Sequence, residues 1–299
     1  MNPVWFSKYR PKSFKDFVGQ DIIRSEFQEI ANGNAPMNHF LFHSVEAGTG
    51  KTTMSHLIAD KLDYTLHIFN ASSKKTRGIE FIEEDIIPLS QSGRWETIIL
   101  LDEADRLTIQ AQDALKGVIE NATCYFILTC NDLSKVSSWL QSRCQLRHFA
   151  PISDESMLAR MKNICIDEAC EINTEDMSAI IRRHRGDLRN AIGCLQAYNT
   201  MPSEVKRNFI LSLGDSNFDA KTFLKLCVKE QAFELAYEKI TNMSLRQIIK
   251  DTLDYAINSS ASKEAKMTVI ESSIISERDI LMGVDEVIVK WNYCRMLSL

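Results

Sequence analysis

A glycine-bearing loop near the start of the chain sets the strongest limit on its fold. The stretch Glu46–Thr53 reads EAGTGKTT and stands between the apolar run His39–His43 and the amphipathic run Met54–Leu62. The first run predicts a buried strand and the second a helix. A strand, a loop ending in Gly-Lys-Thr and a helix are the context of a phosphate-binding loop. We therefore predict a nucleotide-binding α/β domain.

The residue types of this loop suit phosphate. Small residues let backbone N–H groups point at phosphate oxygens, and the helix N-terminus adds partial positive charge. We expect Lys51 to reach the outer phosphates and the Thr52 hydroxyl to hold Mg²⁺. Val45 stands where the G-x-x-x-x-G-K-[ST] pattern has its first glycine, so an ordinary strand-to-helix turn is the alternative.

Composition favours a cytoplasmic globular protein. The 299 residues suggest two or three domains, and 44% apolar and 25% charged residues are ordinary for a globular chain. No stretch approaches the roughly 18 apolar residues of a membrane span. The eight cysteines show no C-x-x-C spacing, which argues against a zinc site or a redox pair. A net charge of −5 argues against a protein that coats nucleic acid by itself.

The pattern of elements changes at Pro151. Before it, strand-like and helix-like runs alternate, which predicts a doubly wound, mainly parallel α/β domain over residues 1–150. After it, strand signals nearly vanish. We predict three helices over 153–200 within a small helical domain at 151–202, and a larger all-helical domain at 203–299.

Two polar sites follow predicted strands. Asp102 and Glu103 come directly after the apolar run Thr97–Leu101, and Asn131 ends the next strand. Near a bound nucleotide, the first carboxylate would hold Mg²⁺ through water and the second would orient or deprotonate the attacking water. Asn131 would position that water or sense the γ-phosphate. The alternatives are a solvated acidic loop and a turn asparagine.

Two arginines are further candidates. Arg143 lies in a Ser-Arg-Cys sequence and could stabilise the charge of phosphoryl transfer, supplied from a neighbouring subunit. Arg189 opens a helix in the second domain and could reach a nucleotide bound between domains. The alternatives are a solvated surface arginine and a helix-start arginine paired with Asp187.

Together these motifs resemble those of AAA+ sliding-clamp loader ATPase subunits, over the whole chain. The opening Trp5–Pro11 with Val18–Gln20 resembles the family's N-terminal signature, and Ser142–Cys144 resembles its trans-acting arginine-finger motif. Asp102–Asp105 matches its metal and water-activating segment, and Gly186–Arg189 resembles its second-sensor helix. The short chain, Val45 and the absent zinc cysteines look most like the T4-type bacteriophage large subunit; archaeal and eukaryotic small subunits are close relatives.

The resemblance implies an AAA+ domain at 1–150, a helical lid at 151–202 and a helical collar at 203–299, with ATP and Mg²⁺ as cofactors. Asp102 and Thr52 would serve the metal, Glu103 would be the catalytic base, Asn131 the first sensor, and Arg143 would complete the neighbouring subunit's site. The implied nucleotide-binding residues are Phe6, Ser7, Lys8, Tyr9, Arg10, Val18, Gly48, Thr49, Gly50, Lys51, Thr52, Thr53 and Arg189.

The resemblance also implies partners: other loader subunits in a pentamer (four copies plus one distinct subunit), a sliding clamp and primer–template DNA, without a membrane. Phosphate contacts to DNA would come from Lys74, Lys75 and Arg77, which could equally form a solvated loop. A clamp contact would fall on Ile86, Ile87 and Leu89, for which burial in the core is the alternative.

Two other functions are open. Another AAA+ DNA motor, such as a branch-migration helicase or a helicase loader, would share most motifs. A non-hydrolysing structural subunit would fit Val45, but Lys51, Thr52 and Asp102–Glu103 oppose it.

Overall fold

The computed structural model of the chain describes residues 3–91, 95–213, 218–241 and 243–298. The chain divides into two compact units, Met1–Pro202 and Ser203–Leu299. The predicted division into three domains remains a prediction.

A parallel sheet of five strands forms the centre of the first unit. The strands are β1 Phe40–His43, β2 Thr65–Asn70, β3 Thr97–Asp102, β4 Tyr125–Cys130 and β5 Gln145–His148. Their order in the sheet is β2-β3-β4-β1-β5, and every pair is parallel. The predicted doubly wound α/β sheet is confirmed. Since ligands of such sheets bind beyond the carboxyl ends of the strands, the site is expected after β1, β3 and β4.

Apolar side chains leave the central strands toward both faces of the sheet. Phe40 and Phe42 of β1 enter one core, and Leu41 between them enters the other, because successive side chains of a strand point to opposite faces. Phe27 packs on Phe40 and Phe42 with ring centroids 4.8 Å and 5.4 Å apart. Burial on both faces explains why the run Ile98–Leu101 is continuously apolar.

Helices flank the sheet in the first unit. They are α1 Trp5–Lys8, α2 Asp21–Ala31, α3 Lys51–Leu62, α4 Ile79–Phe81, α5 Ile87–Ser90, α6 Ile109–Glu120, α7 Ser138–Arg143, α8 Asp154–Asp167, α9 Thr174–His184 and α10 Leu188–Thr200. A π-helical turn, Ile82–Ile86, joins α4 to α5. Pro88 follows this turn, and since proline has no N–H, the regular hydrogen-bond ladder is interrupted there.

Side-chain caps start the three helices of 153–200. The Ser153 Oγ accepts the Ser156 N–H at 3.3 Å, and the Asn173 Oδ1 accepts the Asp176 N–H at 2.7 Å. Asp187 caps α10 in the same way, accepting the Asn190 N–H at 3.0 Å. These caps satisfy N–H groups that have no partner within the helix, so each helix begins where its polar side chain stands.

The described residues of the second unit form helices joined by turns. Its helices are α11 Ser203–Ser212, α12 Ala220–Leu224, α13 Phe233–Ile240, α14 Leu245–Asn258, α15 Lys263–Leu281 and α16 Glu286–Leu297. Tyr293 is fully buried at the centre, and its hydroxyl lies 2.6 Å from the Thr252 Oγ1. In the parts of the chain that the structure describes, no helix is both long and apolar enough to cross a membrane.

Candidate functional site

Two glycines shape the loop between β1 and α3. Gly48 and Gly50 have φ angles of 69° and 104°, a region that favours glycine. A Cβ atom at Gly48 would lie 1.9 Å from the Asp187 Oδ1, and one at Gly50 would lie 2.6 Å from the Phe17 Cζ. Both positions therefore need glycine for the backbone conformation and for the close approach of neighbouring segments.

Val45 stands away from this strained part of the loop. Its side chain is 85% exposed and does not line the pocket, whose loop residues start at Ala47. The valine in place of the first glycine therefore adds no side chain to the pocket.

Lys51 is buried at the first turn of α3. It is 9% exposed, and its Nζ donates to the Asn131 Oδ1 at 2.9 Å and to the Glu46 carbonyl oxygen at 3.2 Å. Burial lowers the pKa of Lys51, and the Arg189 guanidinium acts in the same direction. An anion beside the Nζ would offset this desolvation, because an opposite charge favours the charged form.

An acidic pair faces the same loop from the end of β3. The Thr52 Oγ1 donates to Asp102, 3.1 Å from Oδ1 and 3.3 Å from Oδ2. Hydroxyl and carboxylate oxygens are ligands that Mg²⁺ prefers. No three His, Cys, Asp or Glu side chains cluster as a metal site within the described residues. The donor set fits Mg²⁺, which is usually held by one or two carboxylates, water and substrate phosphates.

Glu103 has an unusual backbone. Its φ and ψ are 58° and 44°, the left-handed region that a residue with a Cβ rarely adopts. Its backbone N–H donates to the Thr129 Oγ1 at 3.1 Å. Such strain persists only where the surrounding structure holds it, and it is concentrated at functional sites.

These residues line one pocket of the first unit. Of the residues predicted from the sequence, the lining includes Phe6, Tyr9, Arg10, Val18, Gly48, Thr49, Gly50, Lys51, Thr52, Thr53, Asp102, Glu103, Asn131 and Arg189. It also includes residues that were not predicted as site residues, among them Phe17, Thr129, Ile152, Arg160, Leu188 and Ile192. The predicted Ser7 and Lys8 are not in the lining.

Only part of the N-terminal segment Phe6–Arg10 lines the pocket. The Lys8 Nζ and the Tyr9 hydroxyl both donate to the Glu168 Oε1, at 2.6 Å and 2.8 Å. The Arg160 Nη2 donates to the Tyr9 carbonyl oxygen at 2.9 Å. Lys8 thus points at the helical part of the unit, while Arg160, from that part, fixes the backbone next to the pocket.

Arg189 enters the pocket from the first turn of α10. Gly186, just before this helix, has a φ of 79°, and its carbonyl oxygen accepts the Ile152 N–H at 3.5 Å. The corner between α9 and α10 therefore determines where Arg189 stands relative to Lys51.

Arg143 lies outside this pocket. At the end of α7, its Nε donates to the Glu120 Oε1 at 2.7 Å, and its Nη2 also pairs with that oxygen. The Arg143 side chain is 30% exposed. The Arg143 side chain therefore does not contribute to the pocket of its own chain.

The residues predicted to contact DNA are exposed, whereas those predicted to contact a clamp are wholly or partly buried. Lys74, Lys75 and Arg77 are all exposed in the loop before α4. In the segment 86–89, Ile86 is fully buried in the core, and Ile87 and Leu89 are partly buried against it. Ile86 is therefore unable to contact a partner.

A phosphate loop, an acidic pair and a strand-end asparagine, held at the carboxyl edge of a parallel sheet beside a helical segment, define an AAA+ ATPase. Residues 41–152 match the family described as ATPase family associated with various cellular activities (AAA). The structure resembles the Holliday junction branch migration motor RuvB of Thermotoga maritima, with a TM-score of 0.59, 19% identity and coverage of 82% of this chain and 90% of that one. The predicted AAA+ fold is confirmed.

Similar proteins show to which group of AAA+ ATPases the chain belongs. The replication factor C small subunit of Haloarcula marismortui is 33% identical over 218 residues, which are 70% of this chain and 66% of the relative. That of Staphylothermus marinus is 36% identical over 247 residues, 74% of each chain. The chain belongs to the replication factor C small-subunit family of AAA+ ATPases. The resemblance to the T4-type bacteriophage subunit remains a prediction.

Proposed function

We propose that the chain is the ATP-hydrolysing subunit of a sliding-clamp loader, which uses ATP to open a polymerase clamp and load it onto primer–template DNA. Membership in the replication factor C small-subunit family supports this proposal. The structural observation that best supports the proposal is that one predicted catalytic residue lies apart from the others. Lys51, Thr52 and Glu103 meet in one pocket, whereas Arg143 lies outside it.

In this proposal ATP lies between the N-terminal segment and the phosphate loop. Phe6, Tyr9, Arg10 and Val18 would border the base, and the backbone of Gly48–Thr53 would hold the phosphates. Ser7 and Lys8 would contribute through their backbone, since they do not line the pocket. A bound triphosphate would draw the Lys51 Nζ away from its two neutral oxygen partners, because a charge-assisted hydrogen bond is stronger than a neutral one.

The residues proposed to act on the attacking water directly follow two adjacent strands, β3 and β4. Glu103 would accept a proton from the attacking water, and Asn131 would position that water once Lys51 has turned to the phosphates. Thr52 and Asp102 would hold Mg²⁺, which neutralises charge on the phosphate oxygens when bound.

Arg143 would complete the site of a neighbouring subunit. Its guanidinium is partly exposed and pairs with Glu120 of its own subunit, so it would exchange that carboxylate for the phosphate of an adjacent nucleotide. Trans-acting arginines of this kind stabilise the charge of the transferring phosphoryl group and raise kcat by about 10³–10⁵-fold.

The assembly and its other partners are part of the proposal. Residues 203–299 would form the collar of a pentamer of four copies and one distinct subunit. Lys74, Lys75 and Arg77 are exposed and would follow the DNA backbone. A clamp contact would fall on Ile87 and Leu89, which are only partly buried. A T4-type bacteriophage origin and a location in the cytoplasm of the host fit the sequence and belong to the same proposal.

The alternatives have less support. The described residues of 203–298 hold helices and no strand, whereas the winged-helix domain expected of a branch-migration motor has a strand hairpin. A purely structural subunit would not need the buried Lys51 or the strained Glu103.

Two substitutions test the proposal in the assembled loader. Glu103→Gln should bind ATP and hold the complex but not turn over, and Arg143→Ala should bind ATP normally while losing the ATPase stimulated by DNA and clamp. Arg246→Ala is the control, since this arginine forms a surface ion pair with Glu277, 3.5 Å away. Normal stimulated turnover by Arg143→Ala would disprove the trans-acting role, and full hydrolysis by Glu103→Gln would remove Glu103 from the mechanism.

A further inference from the structure

Thr129 is buried between the two acidic residues of the site. It is the second-last residue of β4 and is 2% exposed. Its Oγ1 donates to the Asp102 Oδ1 at 2.5 Å and accepts the Glu103 backbone N–H at 3.1 Å. The strand register explains the contact, because Leu101 and Leu128 are paired across β3 and β4 and the next residues of each strand therefore stand side by side.

The two bonds fix the orientation of the hydroxyl. A hydroxyl has one proton to donate and two lone pairs that accept. A backbone N–H can only donate, so the proton of Thr129 is directed to the carboxylate of Asp102. The Thr129 hydroxyl is therefore a donor to Asp102 and an acceptor for Glu103.

The hydrogen bond from the Glu103 N–H to Thr129 lies where the backbone is strained. Glu103 has a φ of 58°, and its backbone N–H donates to the Thr129 Oγ1 of β4. The hydroxyl of Thr129 gives that N–H a partner that the sheet ladder lacks beyond Leu101. Without it, a part-buried N–H would lose this partner, and the left-handed conformation would lose a contact that supports it.

A continuous set of hydrogen bonds therefore joins the phosphate loop to the acidic pair. It runs from the Thr52 Oγ1 to the Asp102 carboxylate, from Asp102 to the Thr129 hydroxyl, and from Thr129 to the backbone of Glu103. Three separate elements, α3, β3 and β4, each contribute to it. Two residues further on, Asn131 holds Lys51, so the end of β4 supports both halves of the pocket.

We propose that Thr129 is a positioning residue for ATP hydrolysis: its hydroxyl orients the Asp102 carboxylate toward the metal position and holds Glu103 in the left-handed conformation that aims its side chain. The proposal rests on the roles proposed above for Asp102 and Glu103. Groups that orient metal ligands are typically as necessary as the ligands, because a rotated carboxylate loses its geometry with the ion.

The test compares Thr129→Ser with Thr129→Ala in the full chain, since these variants differ only in the hydroxyl. One readout is the binding of a fluorescent, non-hydrolysable ATP analogue, in EDTA and across a Mg²⁺ titration. The second is steady-state ATP hydrolysis by the assembled loader. Thr129→Val, which preserves the volume and removes the hydroxyl, replaces Thr129→Ala if the alanine variant does not fold.

We expect the serine variant to stay within about threefold of wild type, and the alanine variant to need about 10–100-fold more Mg²⁺ for half-maximal analogue binding, with a similar loss in kcat. Analogue binding in EDTA should be equal in both variants. Thr97→Ala is the matched control, because Thr97 is also buried in the sheet but stands at the opposite end of β3 and does not line the pocket.

A purely structural role would lower the melting temperature of the alanine variant without moving its Mg²⁺ requirement. If the alanine and serine variants show the same Mg²⁺ dependence and the same kcat, the inference is wrong while the proposed function stands. If wild type itself binds no nucleotide and hydrolyses no ATP in the complex, the proposed function fails, and the inference fails with it.

Discussion

Gly186 should be among the positions least tolerant of alanine. It stands at the corner before α10 with a φ of 79°, and a Cβ there would lie 2.5 Å from the Pro151 Cβ and 3.0 Å from the Pro151 Cα. Real Cβ atoms essentially never approach another heavy atom to 2.5 Å, and the proline ring is not free to move aside. The substitution Gly186→Ala must therefore displace the corner from the segment that begins at Pro151.

Two costs contribute to the effect on stability. The left-handed conformation costs an alanine roughly 1–2 kcal/mol, and forcing an extra methyl into a packed site costs about 1–3 kcal/mol more. For a unit of this size, each kcal/mol shifts the melting temperature by about 2–4 °C. We therefore expect Gly186→Ala to lower the melting temperature of the first unit by roughly 5–15 °C. ATP binding should also weaken, because Arg189 moves with the corner.

Gly193→Ala is the matched control. Gly193 lies inside α10, and a Cβ at that position meets nothing within 4 Å. Alanine in a helix interior is favoured over glycine by about 0.5–1 kcal/mol, so this variant should melt slightly above wild type. Circular dichroism melts of the three proteins check the expectation. A Gly186→Ala protein that melts with wild type, or a Gly193→Ala protein that is equally damaged, would refute the steric argument.

Three further outcomes are expected. Phe27→Ala should lower the free energy of unfolding by about 3–5 kcal/mol, because the fully buried ring lies between two others, and Phe27→Leu should cost less in the same urea titration. Burial lowers the pKa of His39, whose Nδ1 accepts the Phe126 N–H at 3.0 Å. The unfolded chain therefore binds a proton on His39 more readily than the folded chain does. The free energy of unfolding should fall as the pH drops below about 6.5. His39→Asn should weaken that dependence in melts between pH 7.5 and pH 5.5, and an unchanged slope would exclude His39 as its source. Glu120→Ala should change the free energy of unfolding by less than about 1 kcal/mol, because its ion pair with Arg143 is partly exposed, and a larger change would show that the pair is structural.

The sequence predicted the parts of the site that depend on local pattern. The loop at Gly48–Thr53 and the acidic pair after Leu101 could be placed because each combines a strand signal with polar residues at its end. Asn131 could be placed for the same reason. All of them line the pocket, since parallel strands bring their carboxyl ends to one edge of the sheet.

Other parts of the site depend on packing between distant segments. Arg160 and Ile192 reach the pocket from helices that begin more than 100 residues beyond the loop, and their spacing in the sequence carries no signal of it. Ser7 and Lys8 were predicted with their neighbours as one run. Of this run, Phe6, Tyr9 and Arg10 line the pocket. Because α1 ends at Lys8, Tyr9 and Arg10 lie beyond the helix, and no helical spacing in the sequence distinguishes them.

Thr129 was missed for a different reason. A threonine in a strand is ordinary, since β-branched side chains are common there, and nothing in the run Tyr125–Cys130 distinguishes its hydroxyl. Its role follows from the register of β3 and β4, which places it beside Asp102. The register of parallel strands is not encoded in either strand alone.

The exposure of Val45 offers a place for a reporter group. Its side chain is 85% exposed, whereas seven of the eight native cysteines are buried, and burial raises the pKa of the remaining one, Cys194, to about 11. A thiol introduced by Val45→Cys would therefore react with a maleimide dye well ahead of the native thiols, because the thiolate is the reactive form. The dye would be attached two residues before Ala47, where the loop begins to line the pocket. The position that departs from the phosphate-loop pattern could thus serve to time the arrival of nucleotide at the loop.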